Sequence, residues 1–187
     1  MNRWPPVAVV VPTRDRPALL RRALAAIRAQ DYPGRLYVVV VFDGGDPDPD
    51  LVSEGDRPVL VLRNWRTAGL AGARNTGILA AEAELVAFAD DDDVWAPGKL
   101  RSQVAALAGA PGSELATCAI EVEYEGRVTV RRAGRDRVGL AELTRSRMAM
   151  LHSSTVLVRR GALLDPTRIG LVAEDAPGGH NEDWDLL

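Results

Sequence analysis

The chain has 187 residues, which suits one domain with its own core. Hydrophobic residues make up 47% and the formal net charge is -3, so the composition is that of a soluble globular protein without the broad basic field that attracts nucleic acid. A single cysteine, Cys118, excludes an internal disulfide and is compatible with a reducing compartment.

The densest apolar run, Tyr37 to Phe42, falls far short of the roughly 20 residues a membrane-spanning helix needs. Val7 to Val11, cut off by Pro12, is too short for a signal-peptide core. No transmembrane segment is expected. The expected location is cytoplasmic, or peripheral at the inner face of a membrane.

In chain order, Val7 to Val11 is a β-branched and small apolar run, as in a strand buried on both faces. Asp15 is a candidate helix cap, and Pro17 to Gln30 carries Leu20, Ala23, Leu24 and Ile27 at helical spacing. Leu36 to Phe42 reads as a second strand, Asp43 to Asp56 as a loop and Val59 to Arg63 as a third strand. A helix over Ala71 to Glu82, a strand over Leu85 to Ala89 and a helix over Pro97 to Ala108 follow. Strands alternating with helices predict right-handed crossovers, a mainly parallel sheet and helices on both faces.

Beyond a soft boundary near Gly109 to Gly112 the pattern changes. Glu114 to Tyr124 and Arg127 to Arg132 flank Glu125-Gly126, a hairpin turn. Gly139 to Met148 reads as a short helix and Ser153 to Val158 as a strand. Asp165 to Asn181 reads as a loop, and Glu182 to Leu187 starts a helix. Residues 1–109 are thus expected to form a Rossmann-like nucleotide-binding half and 110–187 a smaller mixed-strand half of the same domain.

In open parallel sheets the ligand crevice lies beyond the C-terminal strand ends. Thr13, Asp43 and Asp90 to Asp93 fall there. Two carboxylates ~4 Å apart repel by about 4 kcal/mol at an effective dielectric near 20. A fold keeps four in a row either solvated or around a cation. Carboxylate oxygens suit Mg2+ or Mn2+, ions that commonly share substrate phosphates. Gly69, Gly72 and Gly77 allow close packing or approach to phosphate, but they do not follow the first strand as a dinucleotide fingerprint must. Pro12 to Asp15 holds no glycine, which argues against a nicotinamide dehydrogenase.

Four segments carry a resemblance. Phe88-Ala-Asp-Asp-Asp-Asp-Val-Trp-Ala-Pro-Gly-Lys-Leu100 resembles the D-x-D-D segment of inverting family 2 glycosyltransferases with the GT-A fold. Val9 to Pro17 is similar to their first strand and nucleotide-binding loop. Ala68 to Gly77 is similar to their Gly/Ala-rich helix start with its Arg-Asn pair, and Glu182-Asp-Trp-Asp185 to their Glu-Asp motif. The resemblance implies a metal-dependent transfer of sugar from a nucleotide-diphosphate sugar, a UDP-sugar by preference, to a carbohydrate, lipid-linked or other hydroxyl acceptor. It implies polysaccharide or glycoconjugate biosynthesis as the setting. Thr13 would line the nucleotide pocket, Asp43 would accept a hydrogen bond from uracil, and Arg74 would approach the nucleotide near that carboxylate. Asp90 would contact the ribose and Asp91 would belong to the same nucleotide-sugar pocket. Asp92 would ligate the Mg2+ or Mn2+, and Asp183 would be the general base.

Glu174-Asp175 is a competing acidic pair without the Trp-Asp-Leu-Leu continuation. His152 and His180 have no partner at ligand spacing. Trp95 and Trp184 flank the acidic motifs and suit either sugar stacking or core packing. Family members continue past the Glu-Asp helix, so the chain is expected to be C-terminally truncated. The alternatives are a sugar-1-phosphate nucleotidyltransferase, which needs a Gly-rich loop after the first strand, and a non-catalytic nucleotide-sugar-binding module.

Overall fold

The computed structural model describes residues 4–139 and 151–175. A six-stranded sheet in the order β3-β2-β1-β4-β8-β5 forms its centre. The strands are β1 (Val7–Thr13), β2 (Leu36–Phe42), β3 (Val59–Arg63), β4 (Leu85–Phe88), β5 (Leu115–Ala116) and β8 (Leu157–Arg159). β1 to β4 run parallel, with Val9 opposite both Val38 and Ala87. β8 lies antiparallel to β4, and β5 antiparallel to β8. Two strands from the C-terminal half therefore complete the sheet begun by the N-terminal half.

Alternation along each strand sorts the side chains to two faces. Val7, Val9 and Val11 pack with Val38 and Val40 against α1 (Pro17–Arg28) and α3 (Lys99–Ala108). Leu20, Leu24 and Ile27 of α1 and Leu100, Val104 and Leu107 of α3 meet them. Ala8, Val10, Val86 and Phe88 point the other way, toward α2 (Leu70–Ala80). Both faces are covered, which is why the strands read as unbroken apolar runs. Each large side chain so buried contributes about 1.5–3 kcal/mol over leaving it exposed.

The sequence reading is corrected in several places. Asp15 does not cap α1. It takes a positive φ of 56°, Arg16 holds the N-cap position without a side-chain cap, and Pro17 starts the helix. The loop after β2 contains a 3-10 turn, Pro49–Leu51, stapled by Asp48 accepting from the Asp50 amide. The stretch Glu114 to Tyr124 is two strands, because β5 joins the main sheet while β6 (Ile120–Tyr124) turns back into β7 (Arg127–Arg131). The hairpin turn falls at Glu125-Gly126 as read, with φ of 49° and 74°, the two positive values a type I′ turn needs. Ser153–Thr155 is a 3-10 turn and not the start of a strand. The Thr155 hydroxyl donates to the His152 carbonyl at 2.6 Å, and such local bonds compete with the sheet ladder. The predicted helices at Gly139 to Met148, past its first residue, and at Glu182 to Leu187 lie outside the described residues. Among the described residues, no helix is long and apolar enough to cross a membrane.

Candidate functional site

The strand order reverses between β1 and β4. The chain runs outward from β1 through β2 to β3, then returns to the other side of β1. The C-terminal ends of β1, β2 and β4 open there into one cleft of about 960 Å³, lined by Thr13, Asp43, Asp90 to Asp93, the start of α2, His152 and Glu174. A second cavity, of about 810 Å³, lies between α3, β5 and the chain after β7; among the described residues Asp136 is its only carboxylate.

The four consecutive aspartates face four different environments. Asp91 is buried and accepts from the Thr13 hydroxyl at 2.7 Å and from Arg16 at 3.3 Å. Asp92 is exposed, and Arg16 pairs with it at 2.8 Å. Asp90 accepts from Arg74 at 3.1 Å and from the Ser153 hydroxyl at 3.1 Å, while its amide donates to the Ser154 hydroxyl at 2.8 Å. Asp93 faces His152, with Oδ2 3.5 Å from Nδ1, and His152 Nε2 lies 3.7 Å from Asp90 Oδ2. Burial raises the Asp93 carboxyl above its ordinary value, opposed by Ser154 and His152 and aided by the charges of Asp90 and Asp92.

Asp90, Asp93 and His152 each present one ligand atom within 4.8 Å of the others. Two carboxylates and an imidazole are a donor set that fits a divalent ion such as Mn2+. Asp92, the ligand implied by the resemblance, stands outside this trio, beside Arg16. Among the described residues the four aspartates are in contact with two guanidiniums, Arg16 and Arg74, so the described part of the cleft floor carries excess negative charge.

Asp43 directly follows β2 and is buried. Its Oδ1 accepts from Asn64 Nδ2 at 2.9 Å, both oxygens face the Gly69 amide at 3.0 Å, and Arg14 approaches Oδ2 at 3.9 Å. Asn64 folds the loop onto the site. It also donates to the Thr67 carbonyl and accepts from the Arg66 amide and the Thr76 hydroxyl. Gly69, at a φ of 124°, then starts α2 with its N-terminus at the cleft, where free amides favour an anion.

Arg74 is fully buried inside α2 and pairs with Asp90, not with Asp43. Its neighbour Asn75 clamps the chain at Val172 from both sides: the amide nitrogen donates to the Val172 carbonyl at 2.8 Å, and the Val172 amide donates back at 2.9 Å. The same Asn75 nitrogen reaches Glu174 at 2.7 Å, joined there by Arg66 and the Thr67 amide. Burial alone would raise the Glu174 carboxyl. The bonds from Asn75, Arg66 and Thr67 outweigh it and bring the carboxyl down to about 2.

Sequence reading placed Thr13, Asp43 and the aspartates at this cleft. It missed Asn64, the Ser153-Ser154 pair and the grip on Glu174, and it gave His152 no ligand partner. Trp95 packs in the core beneath the acidic segment. The Lys99 ammonium stacks on its ring at 3.8 Å, and burial brings that ammonium down to about 8. Asp183, His180 and Trp184 lie outside the described residues.

The architecture is that of the GT-A glycosyltransferases. Staphylococcus aureus TarS 1-349 in complex with UDP superposes with a TM-score of 0.72 at 24% identity, over 96% of this chain and 53% of that one. A mannosyltransferase from Pyrobaculum calidifontis in complex with GDP-Man and Mn2+ gives 0.60 at 24% identity, over 91% and 48%. The family model "Glycosyl transferase family 2" matches residues 8–164, and the chain belongs to that family. Among curated relatives, the succinoglycan biosynthesis protein ExoW of Rhizobium meliloti is 38% identical over 103 residues, 50% of this chain and 31% of the relative. The GalNAc(5)-diNAcBac-PP-undecaprenol beta-1,3-glucosyltransferase of Campylobacter jejuni is 31% identical over 124 residues, 64% of this chain and 40% of the relative. The chain thus spans less than half the length of these two relatives.

Proposed function

We propose that this chain binds a nucleotide-diphosphate sugar, a UDP-sugar by preference, and transfers the sugar with inversion to an acceptor hydroxyl. The observation that carries the reading is the convergence of Asp43, Asp90 to Asp93 and His152 on one cleft at the β1/β4 switch point. Asp43 accepts the base N–H, an interaction strengthened by the carboxylate charge. Thr13 and Asp91 form the floor, with Arg16 holding Asp91 in place. Arg74 acts through Asp90, whose carboxylate it fixes for the ribose side of the pocket.

Asp93, Asp90 and His152 would hold the Mg2+ or Mn2+, and Asp92 would join them by giving up Arg16. When bound, the ion offsets charge on the leaving diphosphate. A diphosphate entering an acid-lined floor needs such an offset. Asp183 takes the proton of the attacking hydroxyl, and an ordinary aspartate is ionised for that at neutral pH. The undecaprenol-linked acceptor in the C. jejuni relative's name supports a lipid-linked acceptor here. The test is a nucleotide-release assay across UDP-, GDP- and dTDP-sugars with and without Mn2+. Release from UDP-sugars only with the ion is expected. Equal release with EDTA present would overturn the metal role, and binding without turnover on any acceptor would leave a binding module.

A further inference from the structure

We propose that the β6–β7 hairpin docks this chain on an anionic lipid bilayer. The pairing places Ile120 opposite Arg131, Val122 opposite Thr129 and Tyr124 opposite Arg127. Strand alternation puts these six residues on one face. Glu121 and Glu123, opposite Val130 and Val128, take the other face. The register thus sorts charge: one face holds guanidiniums and no acid, the other acids and no base. On the basic face Tyr124 is 71% exposed, at the tip beside the turn.

The arginines of this face also lack the carboxylate partner that several others have. Arg16, Arg21, Arg63, Arg66, Arg101 and Arg168 each hold a carboxylate. Among the described residues, Arg127 and Arg131 hold none, and neither strand enters a core cluster. An exposed aromatic with an apolar body and a polar tip, flanked by unpaired guanidiniums, matches a bilayer interface with anionic headgroups. A net charge of -3 sets the whole chain against such a surface. Screening confines each charge to about 8 Å at physiological salt, so the nearest patch decides the sign of the interaction. The proposal stands apart from the sugar-transfer reading and fails or holds without it.

The test is co-sedimentation with phosphatidylcholine vesicles containing or lacking phosphatidylglycerol, at low and high salt. Binding is expected only with phosphatidylglycerol and is lost at high salt. Each guanidinium near the surface is worth about 1 kcal/mol, so removing two lowers the partition roughly thirtyfold, and Arg127→Glu with Arg131→Glu lowers it at least that far. Tyr124→Ser lowers it severalfold. The matched pair Arg22→Glu with Arg28→Glu, on exposed positions of α1, leaves it unchanged. The circular dichroism spectrum and the urea midpoint stay the same in all of these variants, which reports that they fold. Equal binding to both vesicle types, no binding to either, or equal loss in the α1 pair overturns the proposal. Hairpin variants that abolish only self-association overturn it in favour of a second copy as the partner.

Discussion

At the residue scale, Glu174 shows how donors can outweigh burial. Its carboxylate is gripped by Asn75, Arg66 and the Thr67 amide, and its folded value of about 2 lies below the ordinary 4.5. A depressed carboxylate stabilises the fold fully above its unfolded value and loses that contribution as pH falls toward the folded one. Wild type and Glu174→Gln should therefore differ most in urea midpoint at pH 6 to 7 and converge as pH falls from about 4.5 to about 2. A constant gap over that range would mean the charge is irrelevant and only the shape matters. Asp43 invites a different test, because its carboxylate faces the cleft as well as Asn64 and Gly69. Asp43→Asn should weaken UDP binding by about 1–3 kcal/mol, the usual size for losing a bond to a charged group. Calorimetry measures it, with the urea midpoint as the control for loop damage. Unchanged affinity would remove Asp43 from the base pocket.

At the scale of elements, α2 explains its own glycines. A Cβ on Gly77 would stand 2.3 Å from Val10 Cγ1 in the centre of β1, and one on Gly72 would stand 1.9 Å from the Thr67 carbonyl oxygen. Close packing is therefore a sufficient reason for both. Gly77→Ala should lower stability by about 1–3 kcal/mol through overpacking, net of at most about 1 kcal/mol gained in helix propensity. Gly72→Ala should displace the loop at Thr67 that presents the Gly69 amide to Asp43, so it should weaken nucleotide binding more than Gly77→Ala does. Urea midpoints and UDP titrations on the two variants separate the effects, and the reverse order of affinity would refute the loop argument. The sheet itself was legible because strands buried on both faces need continuous apolar residues: the bounds of β2 and β3 can be read off Leu36 to Phe42 and Val59 to Arg63 directly. The split of Glu114 to Tyr124 into β5 and β6 was not legible, since β5 is two residues long and its place beside β8 is set by pairing across some forty residues. Nor does any local pattern say that four adjacent aspartates meet Thr13, Arg74, Ser153 and His152, partners 16 to 78 residues away where bonded.

For the whole molecule, the cleft joins parts that are distant in sequence. β1, β2, β4, α2, the turn before β8 and the chain at Glu174 all supply its walls. A ligand that fills it should hold them together, and binding to the folded state alone stabilises by about 2.7 kcal/mol at a hundredfold excess over Kd. A domain of this size gains roughly 2–4 °C in Tm per kcal/mol, so an increase of about 5–10 °C is expected with UDP and Mn2+ together. UDP alone should do little, because the diphosphate meets the excess charge of Asp90 to Asp93, and EDTA should reverse the gain. Three variants then distinguish the ligand sets. His152→Ala and Asp93→Asn should each remove most of the gain if the trio around Asp93 holds the ion. Asp92→Asn should remove as much if Asp92 exchanges Arg16 for the ion on binding, and little if it stays paired. Thermal shift with each ligand alone, and with both, reads every case. A full gain with UDP in EDTA would show that Arg14, Arg16 and the α2 N-terminus suffice for the diphosphate, and the acidic floor would then need another purpose.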